Sequence, residues 1–476
     1  MSQSLKEQTV KGTGWSALER FATQGVSFLI QLVLARLLMP EDYGAIAMLA
    51  IFLQVAQVFI DSGFANALIK KIDCKDVDYA TVFYYNLAIS VVVYILFWGI
   101  APLVASFYNL PLLKEVMRVI SITLIINALC IVQRTQLVKA VDFKTQTKVS
   151  LSSVVVSGVI GILMAYKGFG VWALCGQSII CSLMQWLLYS YYVRWKPALS
   201  FSKQSFQEMF NFGSKLLGAS LISVIYNNIY TIVIGKRFDS TTLGLYSRAD
   251  QFSTFPSTNV GQIIARVTLP VLSKIQEDDN RLIQAYRKII RYGSLVIAPL
   301  MLGLCAISKP LILSILTEKW VGVVPFMQVL CLGLVFDHMN GLNLNLLYVK
   351  GRSDLVLRLE VIKKIVAISI LFISIPFGVL AMCVGRALYC IIAVFINTYY
   401  TKKLINLSVW QQFCDVLPYV GASVVMAVMI LLSSSMIQNS FIQLLVGLVV
   451  GFVIYGLFTR LFFMSDIKDV LSVIKK

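Results

Sequence analysis

Charge is scarce in this chain, and acid is scarcer than base. Of 476 residues only 13% are Asp, Glu, Lys or Arg, and 23 acidic residues stand against 41 Lys and Arg. Soluble domains carry about 25% charge on a chain about 45–50% apolar. This chain is 58% hydrophobic with a mean hydropathy of +0.81, more apolar surface than a soluble globule can hide. Histidine occurs once, at His338, which excludes a histidine-built metal centre. The nine cysteines are scattered, mostly in apolar runs and without a Cys-x-x-Cys pair, and read as small packing residues. Glycine-rich phosphate loops, nucleophile motifs and long extramembrane segments are also missing. With them goes the equipment expected of a membrane glycosyltransferase, polymerase or ligase, so no enzyme and no cofactor is expected. The net charge of +18 does not point to nucleic acid, because the basic residues lie in loops rather than in one groove-reading patch.

What the chain has in abundance is apolar runs of about 20 residues, the length a helix needs to cross a bilayer. A β-barrel would show about 10-residue segments of alternating polarity instead. The pattern predicts an all-α polytopic membrane protein of about fourteen spans. They are expected near 13–38, 43–69, 79–101, 115–133, 149–166, 170–193, 209–235, 242–272, 287–308, 323–349, 355–375, 378–401, 415–435 and 440–463. An even count puts both termini on one side. Segments on that side hold 27 of the 41 Lys and Arg residues, those opposite hold 6, and the rest lie within spans. By the positive-inside rule both termini are cytoplasmic.

A faint repeat appears on shifting the chain by 200 residues: Arg36 to Gly44 falls on Lys236 to Gly244. Equal topology of the two copies makes the repeat parallel, about an axis along the membrane normal. The expected organisation is a lobe over 1–198 (spans one to six), a pseudo-symmetric lobe over 199–404 (spans seven to twelve) around a central cavity, and two extra helices over 405–476.

Polar residues in spans are concentrated on spans one, two, seven and eight. From Leu243 to Leu272 the residues Arg248, Gln251, Phe255, Asn259, Gln262 and Arg266 recur at three- and four-residue steps, on one helix face. Each arginine in a span costs at least about 2.5 kcal/mol on insertion scales, so this face needs water or an anion. Span one adds Arg20, Gln24, Ser27 and Gln31; span two Gln54, Gln57 and Asp61; span seven Lys215, Ser223, Tyr226, Asn227 and Tyr230. The candidate cargo-binding residues are Arg20, Gln24, Lys215, Asn227, Arg248, Asn259, Gln262 and Arg266. Arginine's planar fork suits phosphate oxygens such as those of a pyrophosphate, and carboxamides suit sugar hydroxyls. Glu19, Asp61, Asp250 and Asp337 are candidates for coupling to H⁺ or Na⁺. Interhelical hydrogen bonding and charge pairing are the competing roles for all of them.

The stretch from Gly14-Trp15 through Ala35-Arg36-Leu37-Leu38-Met39-Pro40-Glu41-Asp42-Tyr43-Gly44, then Asp61-Ser62-Gly63-Phe64, resembles the Wzx-type flippase branch of the multidrug/oligosaccharidyl-lipid/polysaccharide exporter superfamily. It is most similar to the colanic-acid and teichuronic-acid exporters. Phe143-Lys144, Gly168-Phe169-Gly170-Val171-Trp172, Leu243-Gly244-Leu245-Tyr246-Ser247-Arg248-Ala249, Arg266-Val267 and Glu318-Lys319-Trp320 carry the likeness further, thinning after about residue 400. The resemblance implies export of an undecaprenyl-pyrophosphate-linked oligosaccharide to the periplasmic leaflet of the bacterial inner membrane by alternating access. It implies Arg20 and Arg248 as cavity cations, and cooperation with polymerase or assembly machinery. A monomer is expected, since one chain can build its own cleft. The rivals are a drug or small-cation antiporter of the same superfamily, which would prefer an acidic cavity, and a membrane polymerase or ligase.

Overall fold

The computed structural model describes residues 22–474, with side chains up to residue 469. Glu19 and Arg20 lie outside the described residues. Within them the chain is helical throughout, with no strand. In order these are α1 (Ala22–Leu37), α2 (Pro40–Asp61), α3 (Phe64–Lys70), α4 (Asp76–Tyr108), α5 (Leu112–Ile120), α6 (Ile122–Lys139), α7 (Phe143–Tyr166), α8 (Val171–Val193), α9 (Lys203–Asn227) and α10 (Ile229–Arg237). There follow α11 (Ser240–Ser273), α12 (Asp279–Ala306), α13 (Ser308–Ile315), α14 (Val323–Leu334), α15 (Asp337–Val349), α16 (Ser353–Ser374), α17 (Val379–Ile405), α18 (Val409–Ser435), α19 (Ser440–Phe462) and α20 (Met464–Ile474). The fold is all-α and polytopic.

Among the described residues, eleven helical segments are long and apolar enough to cross a membrane. Two further helices, α11 with 34 residues and α16 with 22, have the length but are more polar. Several expected spans are broken into two helices. Span two bends at Ser62 and Gly63, both with positive φ (45° and 73°). Span four breaks at Ser121, span seven at Asn228, and span ten around Val335 and Phe336. Periodicity does not reveal these breaks, because the apolar pattern continues across them. Helix starts follow local chemistry: Asp142, Ser202, Asp278, Ser408 and Asn439 each accept a backbone N–H from the first turn of α7, α9, α12, α18 and α19. The amphipathic helix α20 was not expected; Asp469 accepts hydrogen bonds from Lys288 (2.9 Å) and Tyr292 (3.0 Å).

The contacts divide the chain into two compact units, Met1–Gly244 and Leu245–Lys476. In the first, α6 and α7 pack on α8, and α2 and α3 pack on α9. Its aromatic centre is Phe64, with Tyr85 at 4.6 Å and Phe206 at 5.8 Å between ring centroids. Away from the lysine-rich side, the Arg118 guanidinium stacks on Trp98 at 4.0 Å and the Lys236 ammonium on Phe107 at 4.3 Å, as cations at a membrane boundary do. In the second unit, α12 packs on α18, α18 on α19, and α14, α15 and α16 on α17.

One contact of the first unit is made backbone to backbone. A Cβ on Gly44 would run into the carbonyl of Ser240, and a Cβ on Gly244 into the carbonyl of Pro40. The contact is reciprocal, and each glycine and each carbonyl has its counterpart 200 residues away, the offset of the sequence repeat. The starts of α2 and α11 therefore touch with no side chain between them. Gly44→Val or Gly244→Val forces the helices apart and is expected to destabilise the protein by about 1–3 kcal/mol, the usual range for overpacking. Gly99→Ala in α4, where a Cβ meets nothing within 4 Å, is the control. Thermal unfolding in detergent should show a lowered midpoint for the first two and none for the third.

Candidate functional site

The first unit holds a cavity of about 760 Å³. It is walled by α2, α3, α6, α8 and α9, helices whose outward faces are apolar. Its lining is rich in carboxamides: Gln54 and Gln57 from α2, Asn66 from α3, Asn127 from α6 and Gln185 from α8. Asp61 and Arg134 supply one charge of each sign, and Thr135, Tyr189 and Ser220 supply hydroxyls. The bend at Ser62–Gly63 shapes this wall. A Cβ on Gly213 would strike the carbonyl of Ser62, so glycine at 213 lets α9 close against the bend. At the top of the cavity Asn228 Nδ2 donates to Gln54 Oε1 at 3.0 Å. A membrane protein leaves this many amides unburied only where they face water or a polar cargo.

The second unit holds a smaller cavity of about 250 Å³. Ser257, Thr258 and Gln262 of α11 and Asp337, His338 and Asn345 of α15 line it. Both ring nitrogens of His338 are engaged, Nε2 with Ser294 Oγ at 2.9 Å and Nδ1 with the Val335 carbonyl at 3.1 Å. Beside α11 and α15, α17 contributes Arg386. Its Nη1 donates to Asp250 Oδ1 at 2.7 Å and to the Tyr246 hydroxyl at 2.8 Å. Elsewhere in this unit some buried polar side chains bond one another. Asn343 Nδ2 donates to Gln412 Oε1 at 3.1 Å, and Thr401 Oγ1 donates to Asn343 Oδ1 at 2.7 Å. Arg287 grips Asp415 with two hydrogen bonds, 2.6 and 2.9 Å.

The residues singled out from sequence fall in different surroundings. Asp61 lines the first cavity; Gln262 and Asp337 line the second. Arg248 is only 5% exposed; its guanidinium lies 5.8 Å from the centre of the Trp320 ring and donates to Gln251 Oε1. Arg266 is exposed, so the stripe on α11 parts company with itself along its length. Lys215 is exposed on α9, next to the cavity-lining Leu216. Asn227 Nδ2 bonds Ser223 Oγ at 3.4 Å, and Asn259 Nδ2 bonds the Phe255 carbonyl at 2.8 Å, both within their own helices. Gln24 is half-buried on α1. The sequence reading missed Arg386, which a charge in the middle of an apolar run signals, and Arg134, which sits so near the end of its span that it counted as a loop charge.

An almost wholly apolar groove of about 550 Å³ runs between α18 and α19, lined by Met429, Leu432, Met436, Val449, Val453 and Ile454 among others.

Comparison with known proteins gives concordant results. Residues 33–325 match the family model described as polysaccharide biosynthesis protein. The chain is similar to the lipopolysaccharide biosynthesis protein WzxC of Escherichia coli, 25% identical over 402 residues, covering 83% of this chain and 80% of that one. It is similar to the succinoglycan biosynthesis transport protein ExoT of Rhizobium meliloti, 26% identical, covering 70% and 67%. In fold it is similar to the lipid II flippase MurJ in its inward closed conformation. There the TM-score is 0.73 at 17% identity, covering 93% of this chain and 99% of that one.

Pairing of charges within the second unit makes a stability prediction. Arg386→Met strands the Asp250 carboxylate, whereas Asp250→Asn with Arg386→Met removes both charges. The single variant is expected to melt lower than the double in detergent. Equal melting would show that the pair contributes no coupling.

Proposed function

The chain belongs to the polysaccharide biosynthesis protein family, and on that footing we propose that it is a flippase that moves lipid-linked oligosaccharide repeat units across the bacterial cytoplasmic membrane for surface polysaccharide assembly. The observation that carries this reading is the carboxamide-lined cavity of about 760 Å³ within membrane-spanning helices. Moving a pyrophosphate bare through hydrocarbon costs tens of kcal/mol by Born estimates; a polar cavity replaces part of the lost hydration. Carboxamides donate and accept at once, which matches sugar hydroxyls that do the same.

Lys and Arg crowd the loops on the side of the termini, which supports cytoplasmic termini. Transport by alternating access needs an energy source. Asp337, open to the second cavity among oxygen-bearing side chains, is the strongest candidate for H⁺ or Na⁺ coupling. Asp250 is held by Arg386, so its charge is already met. Nothing in this reading assigns a chemical step to the protein: cargo leaves as it entered.

The test uses sealed inverted vesicles from a strain deleted for the gene, loaded with labelled undecaprenyl-pyrophosphate oligosaccharide. Crossing should require the protein and leave the glycan unchanged in length. A lengthened glycan would move the reading to a polymerase, and drug efflux without glycan crossing to an antiporter. Gln57→Leu combined with Asn127→Leu removes two hydrogen-bonding groups worth about 1 kcal/mol each, and should slow crossing about tenfold or more at unchanged protein level. Asp337→Asn should abolish the dependence of crossing on the H⁺ or Na⁺ gradient; a dependence that survives rules Asp337 out as the coupling group.

A further inference from the structure

Arg134 stands apart from the other cations of the first unit. It lies on α6 five residues before the helix ends at Lys139, with its side chain exposed on the cavity wall. Among the described residues it makes no hydrogen bond and no ion pair. Neighbouring cations are spoken for: Lys71 holds Asp78 at 3.0 Å and Glu208 at 3.3 Å, and Lys139 caps the carbonyl of Ile72 at 3.2 Å. The only other charge on the cavity wall is Asp61, at the end of α2, among the described lining residues. Its one hydrogen bond is to the Ala65 backbone N–H at 3.4 Å, long and weak.

Asp61 lies at the end of α2 and Arg134 near the end of α6. Gln54 and Asn127 lie seven residues earlier on those same helices, about 10 Å away at about 1.5 Å per residue, and Asn66 lies beyond the bend on α3. The two charges thus sit among the amides of the wall. A guanidinium with its fork open can hold an oxyanion by two parallel hydrogen bonds.

We propose that Arg134 is the anchor for an oxyanion of the cargo on the wall of this cavity, and that the Asp61 carboxylate on the same wall opposes that anion, with neutral sugar lying among the amides. The proposal deepens the flippase reading and rests on it for the identity of the cargo. The oxyanion is the pyrophosphate of the lipid head or the carboxylate of an acidic sugar, and the probes separate the two. The two residues act in opposite directions. Arg134 attracts the anion, while Asp61 repels it, so neutralising one should weaken binding and neutralising the other should strengthen it. A cavity in which both residues merely stabilise the fold predicts no such opposition.

The experiment measures binding of inorganic pyrophosphate, of methyl glucuronide and of neutral methyl glucoside to the purified full chain by calorimetry. Arg134→Gln should weaken oxyanion binding about tenfold or more, the size of a charge-assisted bidentate contact, and Arg134→Lys should restore part of it. Asp61→Asn should tighten it several-fold, and neither change should affect the glucoside. Loss confined to pyrophosphate identifies the head group as the anion; loss confined to the glucuronide identifies an acidic sugar. Arg134 makes no contact whose removal would unfold the helix, so a folded, monodisperse Arg134→Gln protein that binds as the wild type does overturns the proposal. So does absence of oxyanion binding to the wild type, or weakened binding in Asp61→Asn. The vesicle assay on the unaltered protein is independent. Arg134-dependent pyrophosphate binding without crossing would sink the flippase reading and spare the anchor, while crossing with Arg134-independent binding would do the reverse.

Discussion

A polar group carried through hydrocarbon on a helix must find a partner or keep its water. Each unsatisfied group costs several kcal/mol, and a helix offers its side chains no third choice. The structure is organised by how each polar residue meets this demand. Where partners exist, the helices that carry them are fixed against one another: Asn343, Thr401 and Gln412 tie α15, α17 and α18 together, and Arg287 with Asp415 ties α12 to α18. Gln54, Gln57, Asn66, Asn127 and Gln185 instead line a cavity.

The two units differ in the space they leave. In the second, Arg386 is matched by Asp250 and Tyr246, the histidine is bonded at both nitrogens, and the cavity is the smaller one. The first leaves Gln57, Asn66, Asn127, Gln185 and Arg134 facing open space. Glycine contributes where a side chain would hold helices apart. Gly213 lets α9 meet the bend at Ser62, and Gly44 with Gly244 lets the first turns of α2 and α11 meet carbonyl to Cα. The first unit is thus tightly packed around an aromatic cluster at Phe64 yet open a few residues away, which is what a carrier needs and a scaffold does not.

Much of the fold is legible in the sequence, because a span must be apolar for about 20 residues and so announces itself. The expected spans agree with the helices to within a few residues over most of the chain, as at 440–463 against Ser440–Phe462. The breaks at Ser62–Gly63, Ser121 and Asn228 are not legible, because tertiary packing rather than composition bends an apolar run there. The site was harder. Polarity at regular spacing on α11 marks a face, but spacing cannot say whether that face meets water or protein. Arg248 meets Trp320 and Gln251, Asn259 meets its own helix, and Gln262 meets a cavity. Asp61 was found because a carboxylate in a span is conspicuous. Arg134 was not, because a cation near a helix end looks like every other loop cation until the helix is seen to continue past it.

If cargo rides in the first unit's cavity, a probe on the wall of that cavity must touch it. A photo-reactive amino acid placed at Gln57 and, separately, at Asn127 should capture labelled undecaprenyl-pyrophosphate oligosaccharide in membranes on illumination. The same residue placed at Val92, on the exposed face of α4, should not. Capture at the cavity positions alone is the predicted result. Capture at Val92 but at neither cavity position would contradict the account and put the glycan's path somewhere other than this cavity.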